Sequence, residues 1–400
     1  MSGIDIFDPD VYVHRVPHEA FTELRTEDPV SWHEGAGCWS VVRYDDVVEV
    51  SKNFRVFSSA WGSTLEEMDD EQLEARRSMM DLDPPEHTRI RRLVARGFTS
   101  RVVASYEKAI RIMTRETLDR VLPRGEFDFV EEISKPLPVI WLCRYLGVPE
   151  EMTAQMIDWT DRMLGQDDPD YREEEGYRLA PFGTRAGWEC FQYAARLAAE
   201  RRANPGDDVV SQVLAAEPGG RPLTENEFQN FFALLMIAGQ EASRHTISHG
   251  MLALIERPDD LRRLQESPEL LDTATEEMIR WSTPIYQFRR TTTQEVELGG
   301  KTIGAGEKVV MWYISANFDE TVFPDPLRFD IERQPNEHVS FGKGGPHYCL
   351  GAPVARLQVK VTFEELLPRL GHIELAGPAE RLRSNFIHGI KRMPVRVKLA

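Results

Sequence analysis

The chain has 400 residues, of which 41% are hydrophobic and 28% are charged. It holds enough apolar residues for a large core, yet no stretch approaches the roughly 18–20 apolar residues of a membrane span. The formal net charge of −18 argues against nucleic acid as a partner, because binding phosphates requires a basic surface.

The N-terminus and the cysteines indicate the compartment. The first residues, Met1-Ser-Gly-Ile, have neither a basic start nor an apolar signal region. Cys38, Cys143 and Cys190 lie far apart in no recognisable spacing, so they are predicted to be core residues and not a disulfide framework. We therefore expect a cytoplasmic protein without a membrane anchor.

The apolar residues recur at helical spacing over most of the chain. The segments with this pattern are 101–122, 138–146, 184–203, 224–256, 258–281 and 351–369. Short strand-like runs lie toward the two ends, at 30–33, 38–42, 296–298, 308–312 and 395–399. The sequence predicts a mainly α fold with a small β subdomain, and we expect residues 1–400 to form a single domain.

A fourth cysteine lies in a glycine-rich run, Phe341-Gly-Lys-Gly-Gly-Pro-His-Tyr-Cys349-Leu-Gly351. Glycines let a backbone approach a flat ligand closely. No second cysteine or nearby ligand set completes a tetrahedral zinc site, so a metal here would bring most of its own ligands, as haem iron does. The run resembles the haem-binding loop of the cytochrome P450 family, which implies that Cys349 ligates the iron of a b-type haem.

The resemblance extends to the other residues of this loop and to its length. It implies that Phe341, His347 and Gly351 also contact the haem, inside a triangular helical body that buries it. Phe341 lies eight residues before Cys349, one more than is usual in the family. This longer loop is similar to that of an actinobacterial group that oxidises sterols and methyl-branched lipids.

Two further motifs match the family in order and spacing. Glu277-Met-Ile-Arg280 places a carboxylate and a guanidinium on one helical face. It resembles the family's Glu-x-x-Arg pair, and the resemblance implies that Arg328 joins this pair in a structural role. His87 and Arg91, four residues apart, resemble the family's His-x-x-x-Arg element.

The resemblance implies that these two residues bind the haem propionates, which need cationic hydrogen-bond donors. Arg290 matches another propionate ligand of the family, and His347 is a fourth candidate. Without the resemblance, each of these basic residues would be interpreted as a solvated surface charge.

Residues 224–256 predict one long helix that begins with the capping-box spacing of Thr224 and Glu227. Gly239 costs this helix roughly 1 kcal/mol relative to alanine, which a ligand lying against it would explain. The segment from Ala238 to Ser243 resembles the family's oxygen-activating sequence, Ala-Gly-x-acid-Thr-Thr, with Glu241 at the acid position.

Ala242 departs from this pattern, because the family usually has a threonine whose hydroxyl helps deliver protons. Ser243 lies about 100° further around the helix and does not simply replace that hydroxyl. Three alternatives remain open: Ser243 or a water substitutes, a substrate hydroxyl substitutes, or the reaction is not a simple hydroxylation. Glu241, Ala242 and Ser243 are therefore the predicted catalytic segment.

The resemblance implies a haem-thiolate monooxygenase that inserts one atom of O2 into a hydrophobic small molecule: a sterol, a branched lipid or an intermediate of secondary metabolism. Electrons would come from an external ferredoxin and ferredoxin reductase, and we expect a monomer. The basic residues near the haem-side motifs predict a local docking patch for the ferredoxin. They are Arg91, Arg92, Arg96, Lys343 and Arg356.

The resemblance also implies the position of a substrate pocket. The polar segments 57–82 and 164–180 would cover it, although both are equally typical of solvated loops. Tyr286, Phe288, Trp312 and the turn 386–390 are predicted to line it. The alternatives to monooxygenation are a biosynthetic oxidase that couples or cyclises its substrate, which Ala242 leaves open, and a haem-binding sensor without turnover.

Overall fold

A computed structural model describes residues 3–174, 176–217, 219 and 221–400. The first half of the described chain contains α1 (Asp10–His14), α2 (His18–Glu27), α3 (Tyr44–Lys52), α4 (Asp70–Ala75), α5 (Glu86–Ala95), α6 (Ser100–Val121), α7 (Pro136–Leu146), α8 (Thr153–Leu164) and α9 (Arg185–Ala203). The second half contains α10 (Val209–Ala215), α11 (Glu225–Ala238), α12 (Glu241–Ile255), α13 (Pro258–Glu266), α14 (Leu271–Ser282), α15 (Tyr313–Ala316) and α16 (Ala352–Leu366).

Within the described ranges, the strands form one larger sheet and three small ones. They are β1 (Val30–His33), β2 (Cys38–Val41), β3 (Phe57–Ser58), β4 (Glu126–Asp128), β5 (Gln287–Thr292), β6 (Val296–Leu298), β7 (Lys301–Ile303), β8 (Lys308–Trp312), β9 (Leu370–Leu375), β10 (Glu380–Arg381), β11 (Ile390–Arg392) and β12 (Pro394–Leu399). The five-stranded sheet has the order β1-β2-β8-β5-β3, with β2 and β8 parallel. A three-stranded sheet has the order β4-β12-β9, and the pairs β6-β7 and β10-β11 stand alone.

The mainly α fold with a small β part is confirmed, and most predicted elements lie within a few residues of their observed bounds. Two segments that were each predicted as one continuous helix are each divided into two helices. The pattern at 258–281 is two helices, α13 and α14, separated by a short 3-10 turn at Pro268–Leu270. The pattern at 224–256 is also two helices, α11 and α12, because the backbone breaks at Gly239 and Gln240.

Side-chain hydrogen bonds stabilise the break between α11 and α12. The backbone N–H of Gln240 bonds Ile237 O at 3.4 Å and leaves Met236 O, its regular helical partner, free. The side-chain amide of Gln240 donates to that oxygen at 3.0 Å and to Thr160 Oγ1 on α8 at 2.9 Å. The Gly-Gln pair therefore kinks the helix and satisfies the freed carbonyl.

The helical packing forms two large apolar clusters. One lies among α5 to α11, and the other lies among α12, α14, α16 and the three-stranded sheet. The five-stranded sheet packs on smaller clusters beside α2 and α3. In the described ranges, no helix is both long and apolar enough to cross a membrane.

The predicted ionic corner on α14 forms, with one correction. Arg280 donates two hydrogen bonds to Glu277, each 2.8 Å long, and both side chains are fully buried. The third residue of the corner is Arg333, whose Nε lies 3.1 Å from Glu277 Oε2. The assignment of Arg328 was wrong: its side chain is exposed, and only its backbone oxygen accepts from Arg280 and Arg333.

Candidate functional site

Cys349 lies at the end of its loop, directly before α16. Its backbone N–H donates to Phe341 O at 2.8 Å, which closes the loop. Gly345 has a φ of +73°, and a Cβ at this position would lie 2.2 Å from Ser51 O, so only glycine fits. Cys38, Cys143 and Cys190 are buried, whereas Cys349 has exposed surface and lines the large central cavity.

The surroundings of Cys349 act on its charge in two directions. Burial raises the pKa of the thiol, while hydrogen bonds from the backbone N–H groups of Gly351 and Ala352 and the nearby Arg91 lower it. These N–H groups belong to the N-terminal end of α16, where a negative charge is favoured. Phe341 also lines the cavity, with the Arg356 guanidinium 4.6 Å from its ring centre.

Four basic side chains meet at one edge of the same cavity: His87, Arg91, Arg290 and His347. The rings of His87 and His347 lie 4.4 Å apart. Both ring nitrogens of His87 are buried without a partner among the described residues. Burial, with Arg91 and Arg290 nearby, lowers the pKa of His87 to about 4. Such a cluster of desolvated donors needs an anionic partner.

These observations test whether haem fits the cavity. The Cys349 thiol could supply the protein's ligand to a haem iron, and the basic cluster could supply donors for two propionates. Gly239, directly after α11, and Gly351, two residues after Cys349, both line the cavity. In the part of the chain that the structure describes, no group of three or more His, Cys, Asp or Glu side chains could hold a metal ion. The residues fit a metal that brings a macrocycle of its own, and the site is that of a haem-thiolate protein.

Gly239 itself has a second neighbour that the sequence did not indicate. A Cβ at Gly239 would lie 2.8 Å from Leu142 Cδ1 on α7 and 2.8 Å from Leu235 O. The glycine is therefore required by the packing and kink of α11, in addition to its position on the cavity.

Glu241 is the first residue of α12, lines the cavity and is buried. Its Oε1 accepts from His245 Nε2 at 2.7 Å and lies 3.3 Å from Arg244 Nη2. Its Oε2 has no hydrogen-bond partner within the described residues. Burial would raise the pKa of Glu241, but Arg244, His245 and Lys135 outweigh it and lower that pKa.

The tautomer of His245 follows from its second contact. The backbone N–H of Ile390 donates to His245 Nδ1 at 3.3 Å, so the proton of the neutral ring lies on Nε2 and points to Glu241. Burial lowers the pKa of His245 despite the neighbouring Glu241, and Arg244 lowers it further. These surroundings favour an ionised carboxylate on Glu241 and a neutral imidazole donor on His245.

A chain of buried charges extends from this pair to other helices. Arg244 Nη1 donates to Asp161 Oδ1 on α8 at 2.7 Å, and Asp161 Oδ2 lies 2.9 Å from Lys135 Nζ. Lys135 also contacts Glu131, whose side chain is 48% exposed. Sequence reasoning did not find this chain, because its members come from separate segments; the histidine at 245 was the one local signal.

Ala242 and Ser243 both line the cavity. Thr246 lines it too, but its hydroxyl donates to Ala242 O at 2.9 Å and lies 3.2 Å from Ser282 Oγ. The cavity wall at Ala242 therefore presents a methyl group in place of a hydroxyl.

The rest of the cavity wall is mainly apolar. The lining includes Met68, Met79, Phe98, Trp141, Leu164, Phe182, Leu234, Ile237, Ile285, Phe288, Phe386 and Ile387. Phe288 lines the cavity as predicted, and from the 386–390 turn Phe386 and Ile387 do so too. Tyr286 and Trp312 do not, since both are buried in the apolar cluster beneath the five-stranded sheet, with Trp312 against Phe7 and Phe21.

The two predicted covering segments, 57–82 and 164–180, meet at the cavity. Glu175 in the second segment lies outside the described residues. Ser63 to Asp81 and Leu164 contribute to the lining. Arg178 forms ion pairs with Asp69 and Glu71. Arg76 Nε donates to Arg178 O at 2.7 Å, so the segments contact each other directly.

The predicted basic patch is smaller than expected. Lys343 pairs with Glu337, and Arg356 donates two hydrogen bonds to Glu276, at 2.6 and 2.8 Å. Arg92 and Arg96 are exposed on and just after α5.

Comparison with known proteins agrees with this site. Residues 186–377 match the family model for cytochrome P450. The chain is 36% identical to steroid C26-monooxygenase of Mycobacterium tuberculosis, over 98% of this chain and 92% of that one. It is 38% identical to the methyl-branched lipid omega-hydroxylase of the same organism, over 94% of this chain and 90% of that one.

A solved Mycobacterium marinum cytochrome P450 in complex with pseudoionone superposes with a TM-score of 0.92 at 39% identity, covering 99% of this chain and 98% of that one. The chain belongs to the cytochrome P450 family. It is a haem-thiolate oxidoreductase, a P450 monooxygenase whose cofactor is iron protoporphyrin IX.

Proposed function

We propose that this monooxygenase inserts one oxygen atom of O2 into an elongated hydrophobic molecule, a sterol or a methyl-branched lipid. The observation that carries the proposal is the cavity, which extends from Cys349 along α11 and α12 to the covering segments with a mainly apolar lining. The relatives named for steroid and branched-lipid oxidation, each matching more than 90% of this chain, support the same class.

In the proposed site, Cys349 is the iron ligand, and His87, Arg91, Arg290 and His347 bind the propionates. The haem, when bound, supplies the activation of O2, which a thiolate ligand favours. The protein places the substrate carbon and handles protons.

Glu241 is the proposed proton-exchanging group. His245 and Arg244 hold its Oε1, and the buried chain through Asp161 and Lys135 connects it toward the surface. Gly239, Phe341 and Gly351 complete the proposed haem contacts.

Electrons are proposed to come from a ferredoxin, with the exposed Arg92 and Arg96 as part of its docking surface. Attraction between exposed charges weakens as salt screens them. The rate of haem reduction by a ferredoxin should therefore fall with ionic strength, and an Arg92→Gln, Arg96→Gln double variant should lose most of this dependence. An unchanged salt dependence in the variant would remove these two residues from the docking surface.

The function is tested in two steps. Sterols, branched fatty acids and aromatic natural-product precursors are titrated into the purified ferric protein, and the Soret band reports displacement of the sixth ligand. The compounds that bind are then incubated with ferredoxin, ferredoxin reductase and ¹⁸O₂. We expect one labelled oxygen in the product of a sterol or branched lipid. A product that has lost two hydrogens would instead support the oxidase alternative that Ala242 leaves open.

A further inference from the structure

Two polar side chains lie together in the cavity wall near the N-terminal half of α11. Asn230 on α11 is buried, and its side-chain NH2 donates to Ala75 O at 2.9 Å and to Asn226 O at 3.0 Å. Because the NH2 is turned toward these carbonyls, the amide oxygen of Asn230 points away from them, and no residue that the structure describes donates to it; Asn230 is one of the residues that line the cavity. Asn230 therefore offers a hydrogen-bond acceptor.

Arg76 follows Ala75 directly and supplies the complementary donor. Its guanidinium is buried, with Nη1 2.6 Å from Glu66 Oε1 and Nε donating to Arg178 O. The remaining amino group, Nη2, has no hydrogen-bond acceptor among the residues that the structure describes. Arg76 also lines the cavity, so the donor and the acceptor share one wall.

This polar pair is far from the reaction end of the cavity. Asn230 precedes Ala242 by 12 residues along α11 and α12, which corresponds to at most about 18 Å at the rise of a helix, since the kink at Gly239 and Gln240 shortens the span. The wall between them is apolar, with Ala233, Leu234 and Ile237. A ligand that reaches both ends is as long as an extended sterol or lipid, and longer than a monoterpene.

We propose that Arg76 and Asn230 form a binding site for a hydroxyl group at the end of the substrate opposite to the oxidised carbon. A hydroxyl accepts from Arg76 Nη2 and donates to Asn230 Oδ1, whereas a ketone uses only Arg76 and a hydrocarbon leaves both groups unpaired. Unpaired buried polar groups weaken binding, so the three ligand types should differ in affinity. The inference rests on the proposed function, since it assumes an elongated apolar substrate.

The test is a set of Soret titrations of the ferric holoprotein with cholestane, cholestan-3-one and cholestan-3-ol. For the natural chain we expect the alcohol to bind most tightly and the hydrocarbon most weakly, with about a tenfold difference in Kd between them. Arg76→Lys keeps a cation for Glu66 but removes Nη2. The affinities for the alcohol and for the ketone should therefore both fall toward the affinity for the hydrocarbon. Asn230→Leu should lower the affinity for the alcohol to that for the ketone and leave the affinity for the ketone unchanged.

Arg178→Gln is the matched control, because it breaks the ion pairs with Asp69 and Glu71 without changing a cavity-lining residue. It should leave the affinity order intact, and binding of cholestane checks the fold of every variant. Equal affinities for the three compounds in the natural chain, or an equal loss for all three in Arg76→Lys, would overturn this inference and leave the proposed function standing. If no sterol or branched lipid shifts the Soret band, the proposed substrate class is wrong and the inference falls with it.

Discussion

Two neighbouring arginines on β5 provide a sharp test of the haem-binding cluster. Arg289 and Arg290 are each 3% exposed, and burial lowers the pKa of both. Successive residues of a strand point to opposite faces. Arg290 lines the cavity beside His87 and His347, whereas Arg289 donates to the backbone oxygens of Trp61 and Glu66 outside the cluster.

We expect Arg290→Gln to weaken haem binding. A hydrogen bond to a charged group is worth about 1.5–3 kcal/mol, which corresponds to about a 10- to 150-fold higher Kd for haem. Arg289→Gln should lower the free energy of unfolding but leave haem affinity within about twofold, because it removes no cavity donor.

The assay is the transfer of haem to excess apomyoglobin, followed by absorbance, beside chemical denaturation of the same samples. Denaturation separates a general loss of stability from a loss of haem affinity. If both variants release haem at the same rate, or if Arg290→Gln releases it no faster than the natural chain, the basic cluster is not the propionate site.

Three further predictions concern other parts of the molecule. Arg333→Met should lower the free energy of unfolding by about 1.5–3 kcal/mol, since it removes a buried donor to Glu277; the exposed Arg328→Met should change it by less than about 0.5 kcal/mol in the same denaturation experiment. Burial lowers the pKa of His18 to about 3, so below pH 6.5 the unfolded state binds the proton first and stability is lost as the pH falls. His18→Gln should therefore remove up to about 2 kcal/mol of the stability loss between pH 6.5 and 5, and an unchanged slope would contradict this. Ala242→Thr should leave the product formed per electron unchanged, and a severalfold rise would show that the missing hydroxyl limits proton delivery.

The sequence predicted the parts of the molecule that depend on local pattern. Helices such as α6 and α9 have an apolar face at helical spacing, and strands β1, β6 and β8 were predicted at their observed bounds. The cysteine loop and the Glu277–Arg280 pair were recognisable because their residues are close in the chain. Local spacing and family resemblance together placed Cys349, His87 and Arg290 at one cavity.

What could not be predicted depends on contacts between distant segments. The break after Ala238 is stabilised by the side chain of Gln240, which donates to Thr160 on α8, and periodicity does not reveal this contact. Arg328 and Arg333 are both compatible with the sequence motif, and only the fold decides which guanidinium faces Glu277. Trp312 is apolar and lies on β8, where successive side chains point to opposite faces of the sheet. The sequence does not indicate whether it enters the apolar cluster on one face or the cluster on the other.

The arrangement around Ala242 links proton handling to substrate shape. His245, one turn beyond Glu241 on the same helical face, donates to the carboxylate and has its own proton position fixed by Ile390 N–H. The acid is thus held by groups of its own helix, and its orientation does not depend on a hydroxyl at the next residue. An alanine in that place leaves more room at the reaction end of the cavity than a threonine would. We interpret the substitution as one that leaves the orientation of the acid unchanged, because His245 fixes it, while giving a substrate more room at the reaction end of the cavity.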